Sequence, residues 1–199
     1  MNNERILAIN PGSTSTKIAV YEGNKNIFLK TIRHTPEELQ CYRKITDQFS
    51  FRKDIILKEL KAAGIDLNSI RVVVGRGGLV KPIPSGIYEV NSRMIEDLKA
   101  GLMGEHASNL GGIIADEIAR SLKDAKAYIA DPVVVDELQD VARIAGHPLF
   151  KRVSIFRALN QKAVARLYAR SQNKNYEDLN LLIAHLGGWP LFCTICFGV

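Results

Sequence analysis

Cysteine, long apolar runs and clustered charge are all scarce in this chain of 199 residues. The three cysteines, two of which fall within the last seven residues, do not form a disulfide framework. No apolar segment approaches the roughly 20 residues that a membrane span requires. Residues 6–9 are too short for a secretion signal, because Asn10 and Pro11 follow them directly. We therefore expect a cytoplasmic protein that has no membrane partner.

The excess of positive charge is modest and scattered. Lys and Arg outnumber Asp and Glu by 27 to 21, which gives a net charge of +6. No basic stripe interleaved with aromatic residues is present, so nucleic acid is not an expected partner. A basic balance of this kind suits small anionic molecules. The apolar content of 46% is ordinary for a soluble globular protein, and the length suffices for one full domain.

Short strands open the chain, and helices and strands then alternate. Strands at residues 5–10, 17–21 and 27–33 predict an antiparallel meander, and the β-branched run at 70–74 predicts a strand buried on both faces. This order is typical of an α/β domain with a mixed sheet flanked by helices. The remaining elements that we predict are helices at 51–63, 93–100, 108–122, 135–145 and 157–170 and strands at 127–130 and 180–184.

A turn rich in small hydroxyl residues joins the first two predicted strands. A bend at Gly12 can turn backbone N–H groups inward, and Ser13 and Ser15 add short hydroxyl donors. Lys17 adds a mobile positive charge beside them. The spacing is not that of a Walker loop. The segment predicts a cradle for a phosphoryl group, with a simple polar hairpin as the alternative.

Three further polar side chains follow predicted strands. Arg76 stands in a glycine-flanked loop, where its guanidinium suits a carboxylate or a phosphate. Asp131 is a candidate Mg²⁺ ligand or orienting carboxylate, and His185 can donate to a phosphoryl oxygen. Each has a plainer alternative, namely a solvated arginine, a turn or capping aspartate, and a structural histidine.

Residues 189–199 differ in character from the rest of the chain. They contain the only tryptophan, two of the three cysteines and no charged residue. Cys193 and Cys196 have C-x-x-C spacing, but no second ligand pair accompanies them, so a zinc site is not predicted. Two interpretations are open: a buried C-terminal strand, or a sequence written by a frameshift or truncation after Gly188. We favour the second, and predict one domain over residues 1–188 followed by an atypical apolar tail.

Six motifs stand in order along the chain, at residues 10–17, 75–84, 104–111, 131–134, 157–163 and 185–188. Together they resemble the acetokinase family, the acyl-phosphate-forming kinases of the acetate and sugar kinase, Hsp70 and actin superfamily. Within it they look like the butyrate kinases. The resemblance covers about residues 5–188 and implies an actin-like ATPase (ribonuclease H-like) domain whose second domain is missing. It also implies reversible transfer of the γ-phosphoryl group of ATP to butanoate, giving butanoyl phosphate and ADP.

The resemblance further implies roles for individual residues. Asp131 would hold Mg²⁺ and orient the acyl group, and Arg76 would meet the substrate. Arg157 stands where acetate kinases have a histidine that steadies the transferring group. The residues that would hold phosphates are Asn10, Gly12, Ser13, Ser15 and Lys17 of the first hairpin, and His185, Gly187 and Gly188.

The pattern departs from the family after Gly188. Trp189 and Pro190 stand where a third glycine and a serine are expected, and family members continue with a domain that completes the adenosine pocket. We therefore expect weak or absent turnover from this chain alone, and a monomer although full-length family members are homo-oligomers. Two alternatives remain open: another acceptor (acetate, propionate or isobutyrate), and a non-catalytic actin-like module or fragment of a broken gene.

Overall fold

A computed structural model of the chain describes residues 4–155, 157–186 and 191–195. Within these ranges, no helix is both long enough and apolar enough to cross a membrane. The strands are β1 (Arg5–Pro11), β2 (Ser15–Glu22), β3 (Lys25–Arg33), β4 (Ile70–Arg76), β5 (Ile87–Glu89), β6 (Lys126–Ala130), β7 (Leu181–His185) and β8 (Leu191–Ile195). The α-helices are α1 (Pro36–Leu39), α2 (Phe49–Ala62), α3 (Ser92–Ala100), α4 (Asn109–Ser121) and α5 (Ala158–Ser171).

Six strands form one mixed sheet in the order β3-β2-β1-β4-β6-β5. The first three make the predicted antiparallel meander. Strand β4 lies in the middle of the sheet, parallel to both β1 and β6. The carboxyl ends of these three neighbouring strands therefore meet at one edge, which is where ligands bind in open α/β sheets. Asn10, Arg76 and Asp131 lie at this edge.

Helix α4 packs directly on β4 and β6 and also contacts α2 and α3. The packing on β4 is so close that a Cβ on Gly75 would lie 2.0 Å from the carbonyl oxygen of Gly111. A Cβ on Gly111 would lie 2.0 Å from the carbonyl oxygen of Arg76. Both positions therefore require glycine, and the contact fixes the end of β4 that carries Arg76.

Helix α5 packs on an antiparallel hairpin made of β7 and β8. Ala165, Ala169 and Tyr176 form a small core with Ile195 of β8. Residues 191–195 thus form a strand, but the side chain of Phe192 in it is 66% exposed. The frameshift origin of the tail stays a prediction, and Trp189, Pro190 and residues 196–199 lie outside the described ranges.

The helix predicted over residues 135–145 is wrong. The segment contains only one short 3-10 turn, Asp140–Arg143. The guanidinium of Arg143 instead binds both carboxylate oxygens of Asp136 at 3.0 Å and the carbonyl oxygen of Leu138 at 3.1 Å. These contacts hold a non-helical loop, and an ion pair of this kind leaves no mark in the hydrophobic pattern.

Candidate active site

A cleft of about 590 Å³ lies between the sheet and the amino end of α5. Strands β1, β2 and β4 contribute to its wall, as does the residue that follows β6. Gly12 and Ser13 lie in the turn that joins β1 to β2, Ser15 begins β2, and none of the three lines the cleft wall. Gly187 and Gly188 fall outside the described residues. The predicted site residues that line the cleft together are Asn10, Lys17, Arg76, Asp131, Arg157 and His185.

Two arginines bring unbalanced positive charge into the cleft. Nη1 of Arg76 donates to Oδ1 of Asn10 at 3.3 Å, and the pKa of Arg76 is lowered by burial and by the charge of Arg157. Nε of Arg157 is buried and has no acceptor in the described part of the chain. Within that same part, neither arginine forms an ion pair. Two neighbouring cations without a counter-ion favour the binding of an anion.

His106 lies near these two arginines. From the sequence alone, a functional role for this histidine could not be distinguished from a structural one. Burial lowers the pKa of His106, and the charges of Arg76 and Arg157 lower it further. Nδ1 of the ring accepts the backbone N–H of Ser108 at 3.1 Å. The neutral ring therefore carries its proton on Nε2, where it can donate a hydrogen bond.

Asp131 is held in a conformation that few residues adopt. Its φ is +36°, in the left-handed region that asparagine and aspartate tolerate better than most residues. Oδ1 accepts the hydroxyl of Ser85 at 2.6 Å and the backbone N–H of Gly86 at 2.8 Å. Because both donors come from a distant loop, Asp131 is neither a helix cap nor a simple turn residue. Backbone strain of this kind is common at functional sites.

His185 ends β7 and faces the same cleft. The side-chain amide Nδ2 of Asn160 on α5 lies 3.0 Å from Nδ1 of His185. With Nδ2 as the donor, Nδ1 accepts and Nε2 carries the proton. His185 is then set to donate to an anion. Asn160, which lies in the 157–163 motif but had no role assigned to it from the sequence, supports the ring.

Arg52 of α2 holds the turn between β1 and β2, and sequence reasoning missed it. Its side chain is 0% exposed, and burial lowers its pKa to about 10. It donates to the carbonyl oxygens of Gly12, Ser13 and Ser15 at 2.7, 3.0 and 3.2 Å. It also donates to Oγ1 of Thr16 at 3.0 Å and to Oε1 of Gln48, at 3.1 Å from Nε and 2.8 Å from Nη2. One signal was available: Arg52 lies four and eight residues before the buried Ile56 and Leu60.

Comparison with known proteins identifies the relatives of this chain. It is 61% identical over 184 residues to Butyrate kinase 1 of Clostridium acetobutylicum, covering 92% of this chain and 52% of that protein. It is 56% identical over 184 residues, with the same coverage, to a probable butyrate kinase of Bacteroides thetaiotaomicron. The chain is homologous to the butyrate kinases. It spans about half the length of these curated relatives. No protein-family model matches it.

Solved structures agree with the expected fold of this butyrate kinase homologue. Porphyromonas gingivalis acetate kinase superposes with a TM-score of 0.70 at 14% identity, covering 98% of this chain and 55% of that one. Entamoeba histolytica acetate kinase gives a TM-score of 0.65 at 17% identity, with coverages of 97% and 52%. The chain has the actin-like ATPase fold that the sequence motifs implied, with a mixed sheet flanked by helices.

The donor set in the cleft of this butyrate kinase homologue fits Mg²⁺ only together with phosphate. Across the described ranges, no group of three or more His, Cys, Asp or Glu side chains forms a metal centre. Magnesium is usually held by one or two carboxylates, water and substrate phosphates rather than by an all-protein cage. Asp131 supplies one such carboxylate, and its Oδ2 takes no hydrogen bond in the part of the chain that the structure describes.

Proposed function

We propose that this chain carries part of the active site of a carboxylate kinase that transfers the γ-phosphoryl group of ATP reversibly to butanoate. The observation that supports it best is the Arg76–Arg157 pair, which shares one cleft with Asp131 and has no anionic partner among the described residues. Identity of 61% to Butyrate kinase 1 over 92% of the chain supports the choice of acceptor.

The chemistry asks for positioning and charge rather than for a base. A carboxylate is already nucleophilic, so no proton has to be removed before attack. An acceptor oxygen forms its bond to the γ-phosphorus while the bond to the bridging oxygen breaks, and ADP leaves with that electron pair. Arg76, steadied by Asn10, would bind the acceptor carboxylate. Arg157 would face the charge on the transferring group.

The nucleotide phosphates would be held at the β1–β2 hairpin and at the end of β7. Lys17 and His185 line the cleft from these two elements. Mg²⁺, when bound, would neutralise phosphate charge, with Asp131 as its protein ligand. The contribution of Gly187 and Gly188 stays a prediction.

An apolar part of the cleft wall is suited to a short acyl chain. Val133, Leu159 and Ala163 line the cleft that also holds the arginines. Because one methylene in such a pocket changes selectivity by only about 10- to 200-fold, acetate, propionate and isobutyrate are tested beside butanoate. The ratio of kcat/KM across the four acids decides the acceptor.

The experiment has two arms. In the first, the purified chain is titrated calorimetrically with Mg·ATP and with butanoate, and we expect binding with weak or absent turnover.

In the second, the 184 matched residues replace their counterparts in C. acetobutylicum Butyrate kinase 1, and butanoyl hydroxamate is measured from ATP, butanoate and hydroxylamine. We expect turnover that Arg76→Ala lowers by about 100-fold or more. The control is Arg120→Ala, which removes an ion pair between an exposed arginine and the half-buried Asp116. A folded chimera without turnover, beside an active parent, contradicts the proposal.

A further inference from the structure

Arg52 is a buried cation whose partners are all neutral. Its five N–H groups face three carbonyl oxygens, one hydroxyl and one side-chain amide. In the described part of the chain it forms no ion pair. Burying a charge without a counter-ion is costly, and an apolar residue would fill the space between Gln48 and Ile56 at less expense. The need to fill space therefore does not explain why a charged guanidinium stands at this position.

The contacts of Arg52 fix the direction of the peptide groups in the turn. In a trans peptide the C=O and N–H bonds point in opposite directions. The oxygens of Gly12 and Ser13 point at the guanidinium, so the N–H groups of Ser13 and Thr14 point away from it. Both Ser13 and Thr14 are exposed. The two N–H groups thus face outwards in succession, in a turn that lies between Asn10 and Lys17 of the cleft wall.

Two adjacent N–H groups turned the same way form a concavity that binds anions. The charge of Arg52 behind the turn aligns the peptide dipoles, with oxygen inwards and hydrogen outwards. Thr14 is restrained from the other side, because its carbonyl oxygen accepts the backbone N–H of His34 at 2.9 Å. The donors are therefore held in place before any ligand arrives, which lowers the entropic cost of binding.

We propose that Arg52 is a positioning residue that holds the backbone N–H groups of Ser13 and Thr14 towards a phosphate group. The identity of that phosphate as part of a nucleotide rests on the proposed function, whereas the orientation of the N–H groups does not. A residue that served packing alone would affect stability without changing how these two amides respond to phosphate.

The test follows the backbone amide resonances of the ¹⁵N-labelled chain during titration with inorganic phosphate and, separately, with ADP. In the unmodified chain we expect the Ser13 and Thr14 amides to shift saturably with phosphate, and with tighter affinity for ADP. Arg52→Lys keeps the charge but loses the planar guanidinium, which donates to several carbonyl oxygens at once. We therefore expect phosphate affinity at these amides to fall about tenfold. Arg71→Lys is the matched control, because Arg71 also binds backbone carbonyls, those of Asn68 and Lys123.

Two results would overturn the inference: no phosphate response of the Ser13 and Thr14 amides, or a folded Arg52→Lys chain with unchanged affinity. Should Arg52→Lys fail to fold, Gln48→Met replaces it. That variant removes Gln48 Oε1, which accepts from Nε and Nη2, and leaves the acceptors of Nη1 and the Ser13 carbonyl oxygen that accepts from Nη2. The guanidinium then loses its restraint from α2, so we expect a several-fold loss, and unchanged affinity there overturns the inference too. Phosphate binding in a chain whose chimera forms no hydroxamate supports the role of Arg52 while contradicting the kinase proposal.

Discussion

The hydroxyl of Ser85 donates a 2.6 Å hydrogen bond to Oδ1 of Asp131 across 46 residues of sequence. The backbone N–H of Ser85 also donates to Oε1 of Glu137, whose Oε2 accepts Nζ of Lys162 on α5 at 2.5 Å. Asp131 is therefore oriented by a chain of contacts that reaches the helix beginning just after Arg157. The position of the Asp131 carboxylate therefore depends on Ser85, and through Ser85 on the contact between Glu137 and Lys162.

Removing the Ser85 hydroxyl should weaken magnesium-dependent binding. We expect Ser85→Ala to lower the affinity of the chain for Mg·ADP by about tenfold, since supporting residues of this kind typically contribute that much. Affinity for ADP without Mg²⁺ should stay the same, and Ser85→Thr should restore the loss. The control is Ser69→Ala, which breaks a hydrogen bond of equal length, 2.6 Å to the carbonyl oxygen of Asp66, far from the cleft. Equal losses with and without Mg²⁺ would contradict this role for Ser85.

The two arginines without an ion-pair partner should lower the free energy of unfolding while they strengthen the binding of an anion. Burial lowers the pKa of Arg76, and the charge of Arg157 lowers it further, because the two cations repel each other in the free protein. We expect Arg76→Met to raise the free energy of unfolding by roughly 1 kcal/mol or less while it lowers phosphate affinity by tenfold or more. Urea unfolding and calorimetry measure the two quantities. Arg120→Met should change neither by much, because the side chain of Arg120 is 65% exposed and ion pairs of exposed side chains contribute little. A destabilised Arg76→Met chain with intact affinity would refute the interpretation.

The parts of the fold with strong local signals were predictable. The β-branched run at residues 70–74 indicated a central strand, and it is the middle of the sheet. The structure brings Asn10, Arg76 and Asp131 to one cleft, because each stands at or next to the end of a parallel strand. The predicted burial on both faces holds only in part, because Val72 and Val74 are half-buried, but the β-branched run still marked the strand.

The parts that depend on distant contacts were not predictable. The partners of Arg52 in the turn lie 36 to 40 residues away, and a charged residue on a helix is usually solvated. Strand β5 has only three residues, and its existence depends on pairing with β6. The loop at residues 135–145 has helix-compatible spacing, but the Asp136–Arg143 ion pair overrides it.

Close packing between β4 and α4 predicts a large effect of a single methyl group. Gly111→Ala would place its Cβ 2.0 Å from the carbonyl oxygen of Arg76, and backbone on both sides leaves no flexible side chain to yield. We expect a loss of about 3 kcal/mol or more in the free energy of unfolding. Gly12→Ala is the control, because its Cβ would meet the carbonyl oxygen of Ser15 at an ordinary 3.4 Å. Its stability should change by less than about 1 kcal/mol. Equal effects at the two glycines would refute the packing argument.

Stability should fall as the pH drops below the ordinary histidine value of about 6.5. Burial, followed by the charge of Arg52, lowers the pKa of His34, although Glu38 raises it in part. Nε2 of His34 lies 2.9 Å from Oγ1 of Thr16, so the ring is part of the network behind the phosphate turn. The pKa of His106 is lowered as well. Both rings therefore stay neutral in the folded chain at a pH where the unfolded chain already takes up protons.

That difference fixes the sign of the effect. Where the unfolded state binds more protons, the free energy of unfolding rises with pH, so this stability is present above about pH 6.5 and is lost as pH falls through the folded-state pKa values. The carboxyl of Asp136, whose pKa Arg143 lowers, contributes only at more acidic pH. Urea unfolding from about pH 7.5 to about pH 5 isolates the histidines. His34→Gln should flatten the slope, whereas His147→Gln, at an exposed loop position, should not. An unchanged slope in His34→Gln would show that folding does not alter the protonation of His34, and would contradict this prediction.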